Sequence, residues 1–218
     1  MNKKRRNNNT LMKTTYRQNI FKSIVFVAMP LLILTTSCTN PLSPKEMVRW
    51  IEDEKNGYKQ VVEKGDIKLV IQERPLVYRL CIENRGIITK EHLKEIKKNE
   101  NCDGLLQFHL KISTADELTP LLLYNVADES EYFDRLRYYT SEVEQDLMLI
   151  NGADTVYPVL CLFERNYHLA PYNTLTFAFE KPENLKKKYQ LVYNEMVFNK
   201  TPISFLISNN KKKPKLKI

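Results

Sequence analysis

The sequence predicts an α+β protein, with helices in the N-terminal half and an antiparallel β-sheet or small sandwich in the C-terminal half. An amphipathic helix with clear end signals begins near residue 43, and apolar stretches that alternate with polar residues recur from residue 154 onward. The chain has 218 residues, which is enough for a domain with a substantial core. We expect a single globular domain over residues 43–210, with a sub-boundary near residue 152.

The first helix is marked by its capping residues. Ser43 suits the N-cap, Pro44 suits the first helical position, and Glu46 completes an S-x-x-E capping box. Apolar residues three and four positions apart form one helix face, at Met47, Trp50 and Ile51. Asn56-Gly57 is predicted to end the helix, because glycine tolerates the left-handed conformation that follows many helices.

The next segments mix strand and helix signals. Alternation at Ile67, Leu69 and Ile71 predicts a strand that Pro75 interrupts. Residues 76–82 fit either a strand or a helix, and Cys81 within them is expected to be buried. Thr89 is expected to begin a second helix, with Ile88 and Leu93 as a hydrophobic staple, and residues 101–104 are expected to form a turn.

A second strand is predicted from four alternating apolar residues, Leu106, Phe108, Leu110 and Ile112. His109 falls on the opposite face, where we interpret it as a surface residue rather than a ligand. The acidic cluster that follows lacks the spacing of a calcium loop. We interpret these acidic residues, which lie between positions 128 and 134, as the start of a helix. Asp128 is the predicted N-cap and Glu131 occupies the third helical position. One apolar stripe predicts that this helix continues to Asn151-Gly152, through Phe133, Leu136, Tyr139, Val143, Leu147 and Ile150.

About four short strands are predicted after residue 154, at spacings typical of a small sandwich or antiparallel sheet. Their shared faces hold Val159, Cys161 and Phe163, then Leu175, Phe177 and Phe179, then Leu191 and Tyr193, and finally Ile203, Phe205 and Ile207. The lysine-rich tail, residues 211–218, is expected to be disordered, because it is too polar and too short to pack. Contact with anionic lipid headgroups is the alternative.

Residues 22–38, KSIVFVAMPLLILTTSC, have the pattern of an export signal. About ten apolar residues follow a leader that holds seven basic and no acidic residues. The apolar run is too short to cross a bilayer, which needs roughly 20 residues. Small residues then precede Cys38. An ordinary cleaved signal and an uncleaved signal-anchor remain alternatives, and translation could start at Met1 or at Met12.

This segment resembles the lipobox of bacterial lipoproteins. The resemblance implies that Cys38 is lipidated and that residues 1–37 are removed, leaving residues 38–42 as a tether. Leu34 lies one place earlier than the leucine of the common lipobox, and Thr35 stands in its place. The run Trp50-Ile51-Glu52-Asp53, with Asn56-Gly57, Gln72, Pro75 and Tyr78 after it, is also similar to uncharacterised Bacteroidota lipoproteins.

The charge of the chain is concentrated at its two ends. The chain has 34 basic and 26 acidic residues, giving a net charge of +8. Seven of the basic residues precede Cys38 and five lie in the tail, so the body over residues 38–210 carries 22 basic and 26 acidic residues. We therefore expect no nucleic-acid partner, since nucleic-acid binding would require a basic face on the folded body.

Few residues have the spacing of a catalytic or metal site. After lipidation of Cys38, three cysteines remain, Cys81, Cys102 and Cys161, and they allow at most one disulfide. No HExxH, CxxC or G-x-S-x-G motif is present, and we expect neither a metal nor a cofactor. The candidate ligand contacts are in an aromatic loop, at Tyr167, His168 and Tyr172.

Together these features predict a membrane-anchored lipoprotein with a non-enzymatic binding or structural role in the cell envelope. Its partners are the lipid bilayer, through acylated Cys38, and an envelope protein. The outer membrane is favoured over the inner one, because Thr39-Asn40 lacks the aspartate that retains some proteobacterial lipoproteins at the inner membrane. The alternative is an envelope hydrolase that uses Cys161 and His168, which are seven residues apart.

Overall fold

The computed structural model describes residues 40–92, 94, 98, 104–167 and 169–217. Cys38, Leu93, Cys102 and His168 therefore lie outside the described residues, as does most of the helix predicted after Thr89. Residues from Pro41 onward belong to one compact unit.

In the described residues the chain forms nine strands and three α-helices with defined bounds, and residues 90–92, 94 and 98 are also helical. The strands are β1 (Lys59–Lys64), β2 (Ile67–Glu73), β3 (Leu105–Thr114), β4 (Leu147–Asn151), β5 (Asp154–Val156), β6 (Leu160–Glu164), β7 (Tyr172–Glu180), β8 (Lys188–Asn194) and β9 (Pro202–Ser208). The helices are α1 (Pro44–Glu52), α2 (Leu76–Glu83) and α3 (Glu129–Arg137). Short 3₁₀ turns occupy Glu54–Asn56, Leu121–Leu123 and Val143–Asp146, and a π-helical turn occupies Tyr138–Glu142.

The strands form two antiparallel sheets. The first has the order β1-β2-β3-β7-β6, and the second has the order β5-β4-β8-β9. Alternating residues of both sheets point inward and share one hydrophobic core, in which Phe108, Phe177, Tyr193 and Phe205 are fully buried. This core draws residues from both sides of residue 152. The predicted α+β class is confirmed, with the helices of residues 44–83 preceding most of the strands.

A second, smaller hydrophobic cluster joins α1 to α2. Met47 and Ile51 of α1 pack with Tyr58, and with Tyr78 and Cys81 of α2. The capping box predicted for α1 is present, since Ser43 Oγ accepts the Glu46 N–H and the Ser43 N–H donates to the Glu46 carboxylate. The helix itself ends at Glu52, and a 3₁₀ turn leads to Gly57 in the left-handed conformation (φ 75°). Cys81 is buried, as predicted.

The helix predicted to run to residue 150 ends earlier. Asp128 caps α3 as predicted, but the chain passes through π and 3₁₀ turns and then forms strand β4. Phe133, placed on the predicted apolar stripe, is 54% exposed. Leu147 and Leu149 are buried at a spacing of two, and Asn151-Gly152 turns the chain into β5 rather than ending a helix. A short apolar run fits both periods, and pairing with β8 selects the strand.

The prediction that the basic tail does not pack is wrong. The Leu42 N–H donates to the Lys215 carbonyl (2.8 Å), and the Lys217 N–H donates to the Leu42 carbonyl (2.7 Å). These bonds form a parallel bridge between Leu42 and Leu216, and Leu216 packs against the smaller cluster. The tail is therefore held by a partner 174 residues away, which no local pattern in the sequence could indicate.

Candidate functional site

The outward face of the first sheet carries mostly polar side chains. Strand alternation places the apolar residues of β2, β3 and β7 in the core and their neighbours on the other side. The registers bring Val70 opposite Lys111 and Gln72 opposite His109, and bring Lys111 opposite Thr174. One central part of this face is therefore a patch of amide, ammonium, imidazole and hydroxyl groups.

Helices α1 and α2 form one side of this patch. The Tyr78 hydroxyl of α2 donates to Glu52 Oε1 at the end of α1 (3.0 Å). Burial raises the pKa of Tyr78, and the hydrogen bond to Glu52 raises it further, so the phenol stays protonated. The Gln72 side-chain nitrogen lies within hydrogen-bond distance of the Ile51 and Tyr58 carbonyls. These bonds fix the helices against the end of β2.

His109 and Arg74 form a close contact at the base of the patch. The Arg74 guanidinium donates to Nε2 of His109 and also lies over the Tyr78 ring, 5.7 Å from its centroid. Burial and the charge of Arg74 lower the pKa of His109 to about 4, against an opposing effect of Glu164. The imidazole is therefore neutral at pH 7, and with Nε2 accepting a bond it carries its proton on Nδ1.

Lys111 and Tyr172 form the other side of the patch. The Lys111 ammonium lies 4.1 Å from the centroid of the Tyr172 ring, which is 37% exposed. The same ammonium is 3.6 Å from the Glu117 carboxylate. Such a cation–π contact orients an aromatic ring and leaves its other face free for a ligand.

These groups line an open cleft of about 350 Å³. Its lining residues come from both helices and four strands: Glu52, Lys59, Val70, Gln72, Tyr78, His109, Lys111, Tyr172 and Thr174. The volume is at the lower end of the range for small-molecule sites. The cleft can offer two tyrosine rings and several hydrogen-bonding groups to one small ligand.

The structure places one of the three candidate ligand contacts in the cleft. Tyr172 lines the cleft, whereas Tyr167 is 70% exposed, with the Arg165 guanidinium 4.8 Å from its ring centroid, and is not a lining residue. His168 lies outside the described residues. His109, which we interpreted as a simple surface residue, is instead part of the cleft.

Cys161 lies on the inward face of β6, opposite Phe177 of β7. Burial raises the pKa of its thiol to about 11, and the nearby Glu144 carboxylate contributes. A thiol in this environment is almost entirely protonated at pH 7, so it is a poor nucleophile. Cys81 and Cys161 are both free thiols, and burial also raises the pKa of Cys81.

The described residues contain neither a membrane-spanning helix nor a clustered metal site. No helix among them is long and apolar enough to span a bilayer. In the same part of the chain, no group of three or more His, Cys, Asp or Glu side chains is arranged to hold a metal ion.

Comparison with known proteins gives no relative. No protein-family model matches this chain, and no curated protein sequence or solved structure matches it.

One part of the cleft follows from the sequence alone. Once β3 is predicted, period-two alternation places His109 and Lys111 on the face opposite the core. The sequence does not show that Gln72 of β2 lies beside His109 and Lys111, or that α1 and α2 cover one side of the cleft. Those neighbours depend on strand order and helix placement, which alternation does not specify.

Proposed function

We propose that this chain is a lipid-anchored protein of the bacterial cell envelope whose folded domain is a non-enzymatic binding module. The anchor is Cys38, acylated after removal of residues 1–37. The sequence supports this division, because a basic leader and about ten apolar residues precede the small residues before Cys38.

The binding role rests on the cleft of the first sheet. Lys59 and Lys111 supply ammonium donors, and Tyr172 supplies an exposed ring. A small polar molecule that presents an apolar face to Tyr172 and acceptor atoms to the two lysines fits these groups. The Cys161 thiol, which the hydrolase alternative requires as a nucleophile, faces the core with a raised pKa, so we do not pursue that alternative.

The anchor is tested by membrane fractionation of a bacterium that expresses the full chain. The wild type should stay with the membrane after extraction at pH 11 and should incorporate labelled palmitate. Cys38→Ala should lose both properties, because acyl chains contribute roughly 0.8 kcal/mol per buried CH₂. Cys102→Ala is the matched control and should behave as wild type.

An alkali-resistant membrane association of Cys38→Ala would contradict lipid anchoring and would favour an uncleaved signal-anchor. Release of the wild type into the soluble fraction would favour an ordinary cleaved signal. The side of the envelope is decided separately by gradient separation of inner and outer membranes, where we expect the outer membrane.

The cleft is tested by NMR with a library of monosaccharides, amino acids and their phosphorylated derivatives. Binding compounds should shift the amide signals of Lys111 and Thr174. Lys111→Gln should weaken that binding about tenfold or more, since hydrogen bonds to charged groups contribute about 1.5–3 kcal/mol. Ser204→Ala, an exposed residue of β9 on the other sheet, is the control. Equal loss in the control, or no shift with any compound, would contradict a binding role for the cleft.

A further inference from the structure

The basic tail lies beside the tether that follows the lipid-anchored residue. Leu42 is hydrogen-bonded on both sides of Leu216, through the Lys215 carbonyl and the Lys217 N–H. Leu42 is only four positions after Cys38. Because a residue spans at most about 3.3–3.6 Å, Cys38 lies no more than roughly 14 Å along the chain from this bridge.

The start of the tail is also fixed to the domain. Lys211 makes an ion pair with Glu73 at the end of β2, and both side chains are largely buried. Its ammonium lies 4.5 Å from the centroid of the Tyr58 ring, and the Tyr58 hydroxyl donates to the Lys212 carbonyl (3.4 Å). Burial lowers the pKa of Lys211, and the charge of Glu73 and its hydrogen bond oppose this effect. The ion pair therefore stabilises the protonated ammonium in its buried position. The tail is therefore a docked segment.

Four of the five tail lysines remain exposed. Lys215 and Lys217 flank Leu216, and because Leu216 packs into the smaller cluster, its neighbours in the extended segment are directed away from that cluster. Lys212 and Lys213 are also exposed. We call these residues the tail lysines: Lys212, Lys213, Lys215 and Lys217.

One carboxylate lies close to them. The charge of Lys217 contributes to lowering the pKa of Glu46, although the main cause is the hydrogen bond from Ser43. The remaining body is acidic, with 22 basic and 26 acidic residues over residues 38–210. The positive charge is thus concentrated at the end of the domain that carries the tether.

We propose that the tail lysines bind the anionic lipid headgroups of the membrane in which Cys38 is anchored. A segment with several lysines is attracted to an anionic surface by about 1 kcal/mol per lysine, over roughly one Debye length of 8–10 Å. Acylation combined with a basic patch is a stable form of attachment. Attachment through the tail orients the domain with Leu216 and Leu42 toward the membrane, and the net negative charge of the body does not add to the attraction. The location beside Cys38 rests on the lipid anchor proposed above.

The test uses protein that lacks the anchor, residues 39–218, because the residues from Pro41 onward form one compact unit. Partitioning is measured by sedimentation with vesicles of phosphatidylcholine alone or with 30% phosphatidylglycerol. We expect binding only to the anionic vesicles, weakened in 0.5 M NaCl. Replacing all four tail lysines with glutamine should weaken partitioning about fivefold per lysine, or roughly a hundredfold or more in total.

The matched control removes the same charge elsewhere. Lys181, Lys186, Lys187 and Lys188 are exposed in and beside the turn between β7 and β8, and their replacement with glutamine should weaken partitioning less than threefold. Replacing the tail lysines with arginine should preserve binding, because arginine keeps the positive charge. This variant therefore distinguishes an effect of charge from an effect of side-chain packing. Equal loss in the two glutamine variants, or unchanged binding of the tail variant, would overturn the proposal.

The two proposals fail separately. Because the vesicle experiment contains no acyl chain, its outcome does not depend on Cys38. A soluble Cys38→Ala protein with tail-dependent vesicle binding supports both proposals. Alkali-resistant membrane association of Cys38→Ala, with the vesicle result intact, would remove only the anchor.

Discussion

His109 combines a position in the cleft with a charge state set by its neighbours. In the folded protein its pKa is about 4, whereas an unperturbed histidine has a pKa of about 6.5. Between these values the unfolded chain binds more protons than the folded chain. The free energy of unfolding must therefore rise with pH across that window and must fall as the pH drops from about 6.5 toward 4. Protonation also removes the acceptor that Nε2 offers to Arg74.

We predict that His109→Gln removes this part of the pH dependence. The wild type should exceed the variant in stability by more at pH 7 than at pH 4.5, as measured by urea denaturation at both values. Ser204→Ala, which changes an exposed residue of β9 without a titratable group, is the control and should leave the difference between the two pH values unchanged. If the free energy of unfolding changed with pH in the same way in the wild type and in His109→Gln, the pH dependence would not come from His109.

Residues whose partners are local were predictable, and His109 was not. Ser43 and Glu46 are three positions apart, so the capping box can be read from the sequence and is present. The low pKa of His109 depends instead on burial in the folded protein and on Arg74, which is 35 positions away and is brought near by the pairing of β2 with β3. The polar cleft was missed for the same reason.

At the scale of elements, the β1–β2 hairpin is tied to the loop after β8. Gly65 has a positive φ of 57°, and an added Cβ would collide with Oδ1 of Asn199. The Asn199 side chain is held there because its Nδ2 donates to the Lys64 carbonyl (2.8 Å). The buried Glu195 carboxylate positions this loop by accepting N–H bonds from Val197 and three residues that follow, Phe198, Asn199 and Lys200.

We predict that Gly65→Ala lowers the free energy of unfolding by about 2 kcal/mol or more. The left-handed conformation alone costs an L-residue roughly 1–2 kcal/mol, and the contact with Asn199 adds to it. Gly104→Ala is the matched control, because its φ is not positive and an added Cβ meets no atom within 4 Å. Chemical denaturation should show the control within about 0.5 kcal/mol of wild type. Equal effects of the two substitutions would contradict the predicted role of Gly65.

Elements whose apolar residues follow one clear period were predicted correctly. Segments whose apolar residues fit both the helical and the strand period were not. Alternation identified the core faces of β2, β3, β7, β8 and β9, whose apolar residues are buried. Strand β1 was missed because its inward residues include Gln60 and Lys64, which reach carbonyls of β9 and break the apolar alternation. Residues 147–150 were assigned to a helix because an apolar run beside a helical stripe satisfies both periods.

At the scale of the whole molecule, the α+β class was predictable from the sequence, whereas the pairing of distant segments was not. Composition and periodicity indicate helices followed by antiparallel strands, and the two sheets confirm this. The sheets, however, take their strands from distant parts of the sequence, with β3 paired to β7 and β4 paired to β8. The tail was predicted to be disordered because lysines dominate it, whereas Leu216 pairs with a residue 174 positions away.

The pairing of Leu42 with Leu216 has a consequence for the order of folding. The smaller cluster consists mainly of α1, Tyr58 and α2, which leave the ribosome early, yet Leu216 completes it and emerges last. A contact over so long a separation forms late, because the intervening chain must first be ordered. A chain that lost its last eight residues would keep both sheets but leave Leu42, Glu73 and Tyr58 without their tail partners. The tail therefore completes the packing of the first helices only after the strands of both sheets have been synthesised.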